Sequence, residues 1–288
     1  MGLLAVSRSI RFAVACAVAL ACLGAHASAA PSLAERYQTL RDKLADNAFG
    51  RPIHLDSTES SGALRGDAHA AVEHPFALLR AHLGEPEVWC EVLILVFNIK
   101  QCEAGARTLV VHIGRKHDQP VAHAHRVEFA FNVANASGSN LRVELNADSG
   151  PLGTRDYHIE LEAIPIDARR SFLHLEYSYT SGVTARLAMK GYLATVARDK
   201  VGFSVVGRRA DGAPIHVGGM RGLIERNTMR YYLAIDAYLD SLSAAPAQQL
   251  EKRLAGWFDA TERYPLQLRE MERDDYLAMK RKEAGKRD

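Results

Sequence analysis

The stretch Arg126-Val-Glu-Phe-Ala-Phe-Asn-Val133 alternates strictly, with Val127, Phe129, Phe131 and Val133 on one side. A period of two throws successive side chains to opposite faces of an extended chain, so the segment reads as a strand with one buried face. The pattern continues downstream. Leu141, Val143 and Leu145 alternate with Arg142, Glu144 and Asn146. Tyr157, Ile159 and Leu161 alternate with His158, Glu160 and Glu162, and Leu173, Leu175, Tyr177 and Tyr179 with His174, Glu176 and Ser178. The connectors Ser137-Gly-Ser-Asn140 and Asp167-Ala-Arg-Arg170 are short enough for antiparallel hairpins. One apolar and one wet face is the signature of an antiparallel sheet. Thr108–Ile113 adds a further strand.

On either side the period becomes helical. Ser32-Leu-Ala-Glu35 is a capping box, followed by the stripe Leu33, Tyr37, Leu40 and Leu44. Two short strands are expected between residues 53 and 73, around the Ser57–Gly62 turn. Phe76, Leu79 and Leu83 begin a short helix, Gly84-Glu-Pro86 breaks it, and a second turn or helix carries Trp89. From Thr184 a long helix is expected, with Leu187, Gly191, Ala194 and Ala197 along one side. Residues 202–222 are glycine-rich and loop-like. Ile224, Thr228, Tyr231, Tyr232, Ile235, Tyr238 and Leu239 then make a broad stripe, and Pro246 opens a helix bearing Leu250, Leu254, Trp257 and Phe258. The tail after Pro265, dense in charges of both signs, reads as a solvated helix with a fraying end.

Residues 1–30 have the layout of a secretory signal peptide: Arg8 and Arg11, the apolar run Phe12–Leu23, then Ala25-His-Ala27-Ser-Ala29-Ala30. The apolar run is too short for the roughly 20 residues of a membrane-spanning helix, and no later segment is long and apolar enough. Export, to a bacterial periplasm, follows as the expectation. Of 36 basic and 34 acidic residues, only two arginines precede residue 31, so a cleaved chain carries no formal net charge. That balance argues against a general nucleic-acid binder. Cleavage also leaves only Cys90 and Cys102, with eleven residues between them, and an exported protein favours a disulfide there.

The element order is a helix, strands, two short helices, a run of antiparallel strands and a long helix. It resembles the START/Bet v 1-like helix-grip superfamily over roughly residues 32–201. The passage Gly66–Phe76, Trp89, the turn Gly153-Thr-Arg155 and the helix from Thr184 carry the likeness. The chain also resembles an uncharacterised exported proteobacterial family. The resemblance implies an α+β fold in which a curved antiparallel sheet grips a long helix. It divides the chain into a signal peptide (1–30), a helix-grip domain (31–201) and a loop and helical extension (202–288). It further implies a concave ligand site between sheet and helix. Trp89, Phe129, Phe131 and Leu145 would line it with Tyr157, Ile159, Leu175, Tyr177 and Tyr179, and Arg115 or Lys116 would meet an anionic head group. The plainer reading of the same alternation is a filled core.

Other chemistry has little support. His112, His117, His123 and His125 lack a recognisable zinc spacing, and no metal or cofactor is implied. Asp156, Glu160, Glu162 and Glu176 invite a paired-carboxylate hydrolase, but their strand positions suit solvated pairing with Arg or Lys. No G-x-S-x-G elbow occurs, and Gly218-Gly-Met-Arg-Gly222 lacks the phosphate-loop Lys. The leading expectation is a non-enzymatic exported protein that binds or shuttles a hydrophobic, lipid-like molecule. Alternatives are an interaction protein acting through residues 223–258, and a cyclase- or hydrolase-like enzyme using the same cavity.

Overall fold

The computed structural model describes residues 31–195 and 198–285. The segment read as a signal peptide, with Cys16 and Cys22, and position Ala197 lie outside the described residues. Helix α1 (Leu33–Ala45) starts at Ser32, whose hydroxyl accepts from the Glu35 N–H while the Glu35 carboxylate accepts from the Ser32 N–H at 2.7 Å. Strands β1 (Ile53–Ser60) and β2 (Ala63–Val72) form a hairpin. Its two turn residues, Ser61 and Gly62, both have positive φ, the backbone that a tight turn between twisted strands requires. Helices α2 (Phe76–Leu83) and α3 (Pro86–Leu93) follow. The antiparallel run is β3 (Ile99–Ala104), β4 (Thr108–Ile113), β5 (His125–Ala136), β6 (Leu141–Ser149), β7 (Thr154–Pro165) and β8 (Ser171–Ser181).

These strands form one eight-stranded sheet in the order β1-β2-β8-β7-β6-β5-β4-β3, every neighbouring pair antiparallel. The alternation read from the sequence holds along most of its length. On β5, Val127, Phe129 and Phe131 are buried, whereas Val133 is exposed beside a register shift near the hairpin end. A disulfide joins Cys90 on α3 to Cys102 on β3, with Cα atoms 5.2 Å apart. Closing a loop of this size is worth roughly 3 kcal/mol on the chain-entropy estimate.

The gripped helix is not the one expected. Helix α4 (Val183–Ala194) has twelve residues, and Leu187, placed on its packing side by the sequence pattern, is 65% exposed. Among its described side chains, Met189 and Leu193 pack against the core instead. The helix lying on the sheet is α5 (Gly219–Ser241), with 23 residues and a length of about 34 Å. It packs on β1, β2 and β8 and also meets α3 and α4. Its descent onto β2 is possible because Gly66 has no side chain: a Cβ there would lie 2.2 Å from Thr228 Oγ1.

Residues beyond 201, expected as an extension, thus supply the centre of the fold, and Ser32–Asp288 form one compact unit. Residues 202–222, expected as loop, contain the small ribbon β9 (Val205–Arg208) and β10 (Pro214–His216). Helix α6 (Pro246–Glu262) and the short α7 (Pro265–Leu268) pack on α5, and α8 (Arg273–Ala284) packs on α6 and β3. Trp257 of α6 stacks on Tyr276 of α8 at 5.2 Å, and its Nε1 donates to the Arg230 carbonyl at 3.0 Å.

Among the described residues the tail is also not a solvated helix. In α8, Lys280 is fully buried and donates to the Val96 and Ile99 carbonyls at 2.7 and 2.8 Å. Its third partner is Glu283 at 2.7 Å, which also holds the fully buried Lys100 at 3.0 Å. One carboxylate therefore serves two buried ammonium groups.

Two stability outcomes follow from these contacts. Glu283→Ala strips the counter-charge from both lysines and costs about 3–5 kcal/mol in urea denaturation. Gly66→Ala costs about 1–3 kcal/mol through overpacking. Combining it with Thr228→Ala returns part of that loss, and strict additivity of the two would contradict the close approach.

Candidate functional site

The face of the sheet turned towards α5 carries an aromatic cluster. Tyr157 on β7 stacks on Tyr179 of β8, ring centroids 5.2 Å apart and planes within 15°. Tyr177 lies 5.7 Å from Tyr179 and 6.3 Å from Tyr157, and Phe129 meets Tyr157 edge-on at 6.3 Å. Tyr231 of α5 closes the group from above, edge-on to Tyr177 at 5.0 Å.

A bulge sets this geometry. Arg155 pairs with Thr180 and His158 with Ser178, so Asp156 and Tyr157 together oppose Tyr179 alone. The extra residue is accommodated at Asp156, whose φ of 53° lies in the left-handed region and whose carboxylate accepts from Thr180 Oγ1 at 2.6 Å. The Tyr157 ring lies against the backbone at Gly150, where a Cβ would come within 2.3 Å of it. Its hydroxyl is 2.7 Å from Thr154 Oγ1. Among the described residues the Tyr179 hydroxyl has no hydrogen-bond partner.

Electrostatics make the cluster a neutral surface. Burial raises Tyr157, Tyr179 and Tyr231 above the ordinary phenol value and Tyr177 well above it. Burial is the largest cause for each, and neighbouring phenols add to it for Tyr177, Tyr179 and Tyr231. All four keep their protons at physiological pH. They offer hydroxyls that donate and accept without charge, framed by apolar Leu145, Ile159 and Leu175.

The other expected lining residues are distributed differently. Phe131 is buried in the same core. Trp89 is buried too, but its Nε1 donates to the Leu83 carbonyl at 2.9 Å and so ties α3 to α2. Lys116 pairs with Glu270 at 2.6 Å, and the same carboxylate holds the buried Arg230 at 2.5 Å and Lys200 at 3.5 Å. Arg115 donates its backbone N–H to Gln119 Oε1 at 3.1 Å. Among the described residues neither Arg115 nor Lys116 contacts the tyrosines. In the sequence Tyr231 belongs to a helical stripe with no local link to the strand tyrosines. Only the placement of α5 brings it to them.

Of the polar-face carboxylates, Glu160 pairs with Arg142 at 2.7 Å, Glu176 with Arg65 at 3.0 Å and Asp156 with Arg155 at 3.3 Å, whereas Glu162 accepts from Asn140 Nδ2 at 2.8 Å. The apolar stripe of residues 223–258 is spent inside the chain, with Tyr232, Tyr238, Trp257 and Phe258 all buried.

Eight antiparallel strands wrapped on one long helix make the architecture α+β. The fold is a helix grip. The sequence matches no protein-family model and no curated protein. Among solved structures, the helix grip is similar to the Zhui aromatase/cyclase from Streptomyces sp. R1128, at 11% identity and a TM-score of 0.36, over 67% of this chain and 98% of that one. It is similar to a START superfamily protein from Mycobacterium smegmatis at 10% identity and a TM-score of 0.32, over 46% and 92% of the two chains. A truncated norcoclaurine synthase from Thalictrum flavum shows 12% identity and a TM-score of 0.33, over 49% and 91%.

The raised tyrosines have a consequence for alkaline stability. An unfolded tyrosine ionises near ~10, so above that pH the native state keeps protons that the unfolded chain releases. Their stabilisation is complete below ~10 and is lost as pH climbs through the higher folded values. The urea midpoint therefore falls between pH 9 and pH 11. Tyr179→Phe and Tyr231→Phe each flatten that fall, and an unchanged slope in both would contradict the assignment.

Proposed function

We infer that this protein binds a hydrophobic small molecule carrying a small, uncharged polar group, seated at the tyrosine cluster between sheet and α5. The observation that carries the reading is the convergence of Tyr157, Tyr177, Tyr179 and Tyr231, with centroid separations of 5.0–6.3 Å. Flat apolar bodies with hydroxyl tips suit an amphipathic ligand. The Tyr179 hydroxyl, which bonds to no other described residue, gives such a ligand a hydrogen-bonding group. The neutral phenols disfavour a charged head group at this point, and Lys116 is engaged with Glu270. The ligand class is thus a lipid-like or polycyclic molecule ending in a hydroxyl, ketone or amide.

The reading places the protein outside the cytoplasm. The Cys90–Cys102 disulfide suits an oxidising compartment, and residues 1–30 have the layout of an export signal. Among the described residues no helix is long and apolar enough to cross a membrane.

The test is native mass spectrometry of protein recovered from the periplasm, followed by organic extraction of what it carries. The expected result is a co-purifying apolar molecule, with Tyr179→Ala and Tyr231→Ala each lowering occupancy at least tenfold while circular dichroism is unchanged. Protein that carries nothing, and that takes up no hydroxylated lipid from mixed vesicles, would overturn the reading.

A further inference from the structure

The opposite face of the sheet holds a second arrangement that the tyrosine site does not use. Two neighbouring cross-strand rows run over β1, β2, β8, β7 and β6. The first places Asp56 opposite Asp67, Asp67 opposite Glu176, Glu176 opposite Glu160, and Glu160 opposite Glu144. The second places His54 opposite His69, His69 opposite His174, His174 opposite Glu162, and Glu162 opposite Arg142. Like charges directly opposite one another destabilise a sheet. Arg65 and Arg142 are the arginines paired with these acids, and the face keeps a surplus of carboxylate.

Where the rows meet, Glu160, Glu162 and His174 each bring one ligand atom to within 4.8 Å of the other two. Donor atoms around a tetrahedral zinc ion stand roughly 3.3 Å apart, so rotamer changes in the two glutamates complete the approach. The histidine is already oriented. Arg65 gives Asp67 two hydrogen bonds, at 2.8 and 2.7 Å, which marks Asp67 as an ionised acceptor. His174 Nε2 lies 2.7 Å from Asp67 Oδ1, so Nε2 carries the proton and Nδ1 keeps its lone pair. Such a carboxylate–histidine pair is the usual outer support of a metal-binding imidazole. The ring of His174 is also held in place from the β2 side. His69, more than nine-tenths buried, stacks on His174 at 4.4 Å within 12° of parallel, and its Nδ1 has no hydrogen-bond partner.

We propose that Glu160, Glu162 and His174 form a binding site for a divalent transition-metal ion of the zinc class on the outer face of the sheet. One imidazole and two carboxylates suit zinc, and three protein ligands leave a position for water. On binding, Arg142 releases Glu160, which it holds at 2.7 Å, and keeps Glu144 at 3.1 Å. Its half-exposed side chain is free to swing. Asn140 releases Glu162, now at 2.8 Å. The ion offsets part of the carboxylate surplus and links β7 to β8 at the middle of the sheet.

Equilibrium dialysis of the full-length exported protein without a polyhistidine tag, against zinc chloride, followed by metal analysis, tests this. The expected result is one zinc per chain. His174→Ala and Glu162→Gln each weaken binding at least tenfold, and Asp67→Asn weakens it about 10–100-fold through the unsupported imidazole. A variant lacking His117, His123 and His125 binds as the wild type does. Circular dichroism monitors folding, and the half-exposed Glu162 supplies the decisive variant if His174→Ala does not fold. Absence of zinc from the wild type, zinc retained by Glu162→Gln at wild-type affinity, or zinc lost with the loop histidines would each overturn the proposal.

Discussion

Helix α5 reaches the sheet over Gly66, where Thr228 occupies the space that any larger residue would fill. That close approach governs much of what surrounds it. Tyr177 stands directly opposite Gly66 on β8, so a helix resting on the glycine brings Tyr231 down onto the Tyr177 ring. A helix apolar on several sides cannot leave its outer surface wet. Helix α6 therefore closes over it, α8 packs on α6 in turn, and Trp257, Tyr276 and Phe97 interlock with separations of 4.8–5.4 Å. The tyrosine cluster and the C-terminal covering are consequences of the same placement.

The covering brings charge inside. Lys100 and Lys280 share Glu283, Arg230 meets Glu270, and Arg51 meets Asp236 at 2.5 Å. Each buried ion carries a desolvation cost that only a well-placed partner offsets. These pairs therefore contribute to register more than to net stability: α8 is satisfied where Lys280 finds the Val96 and Ile99 carbonyls, and a shift of one residue leaves an ammonium group unpaired. The two faces of the sheet divide the remaining polarity. The side towards α5 holds neutral phenols, while the outer side holds carboxylates, imidazoles and guanidinium groups in cross-strand rows. Strict alternation along β7 and β8 separates the two chemistries by one residue.

Much of the fold was legible locally. The alternation at Arg126–Val133, Tyr157–Leu161 and Leu173–Tyr179 identifies strands because a pleated chain repeats every two residues. The capping box at Ser32–Glu35 identifies a helix start because its partners lie three residues apart. Cys90 and Cys102 pair across a short loop. The candidate site was legible by half. Tyr157, Tyr177 and Tyr179 share the inward face that the period assigns them, whereas Tyr231 joins them only through the placement of α5 on the sheet. The stripe from Thr184 and the stripe from Ile224 both have helical spacing, and no local rule says which of two amphipathic helices a sheet will bury.

The sequence by itself determined the α+β class, the inward and outward faces of each strand and the disulfide, because each depends on contacts among near neighbours. Only the tertiary structure decided that α5 rather than α4 is gripped, that the charged tail is buried, and that Glu160, Glu162 and His174 converge. Those outcomes depend on partners far apart along the chain: Gly66 with Thr228, Lys100 with Glu283, and strand registers that align one row of side chains with the next. Spacing within a segment carries no information about such pairings, because they are selected by packing and desolvation over the whole core.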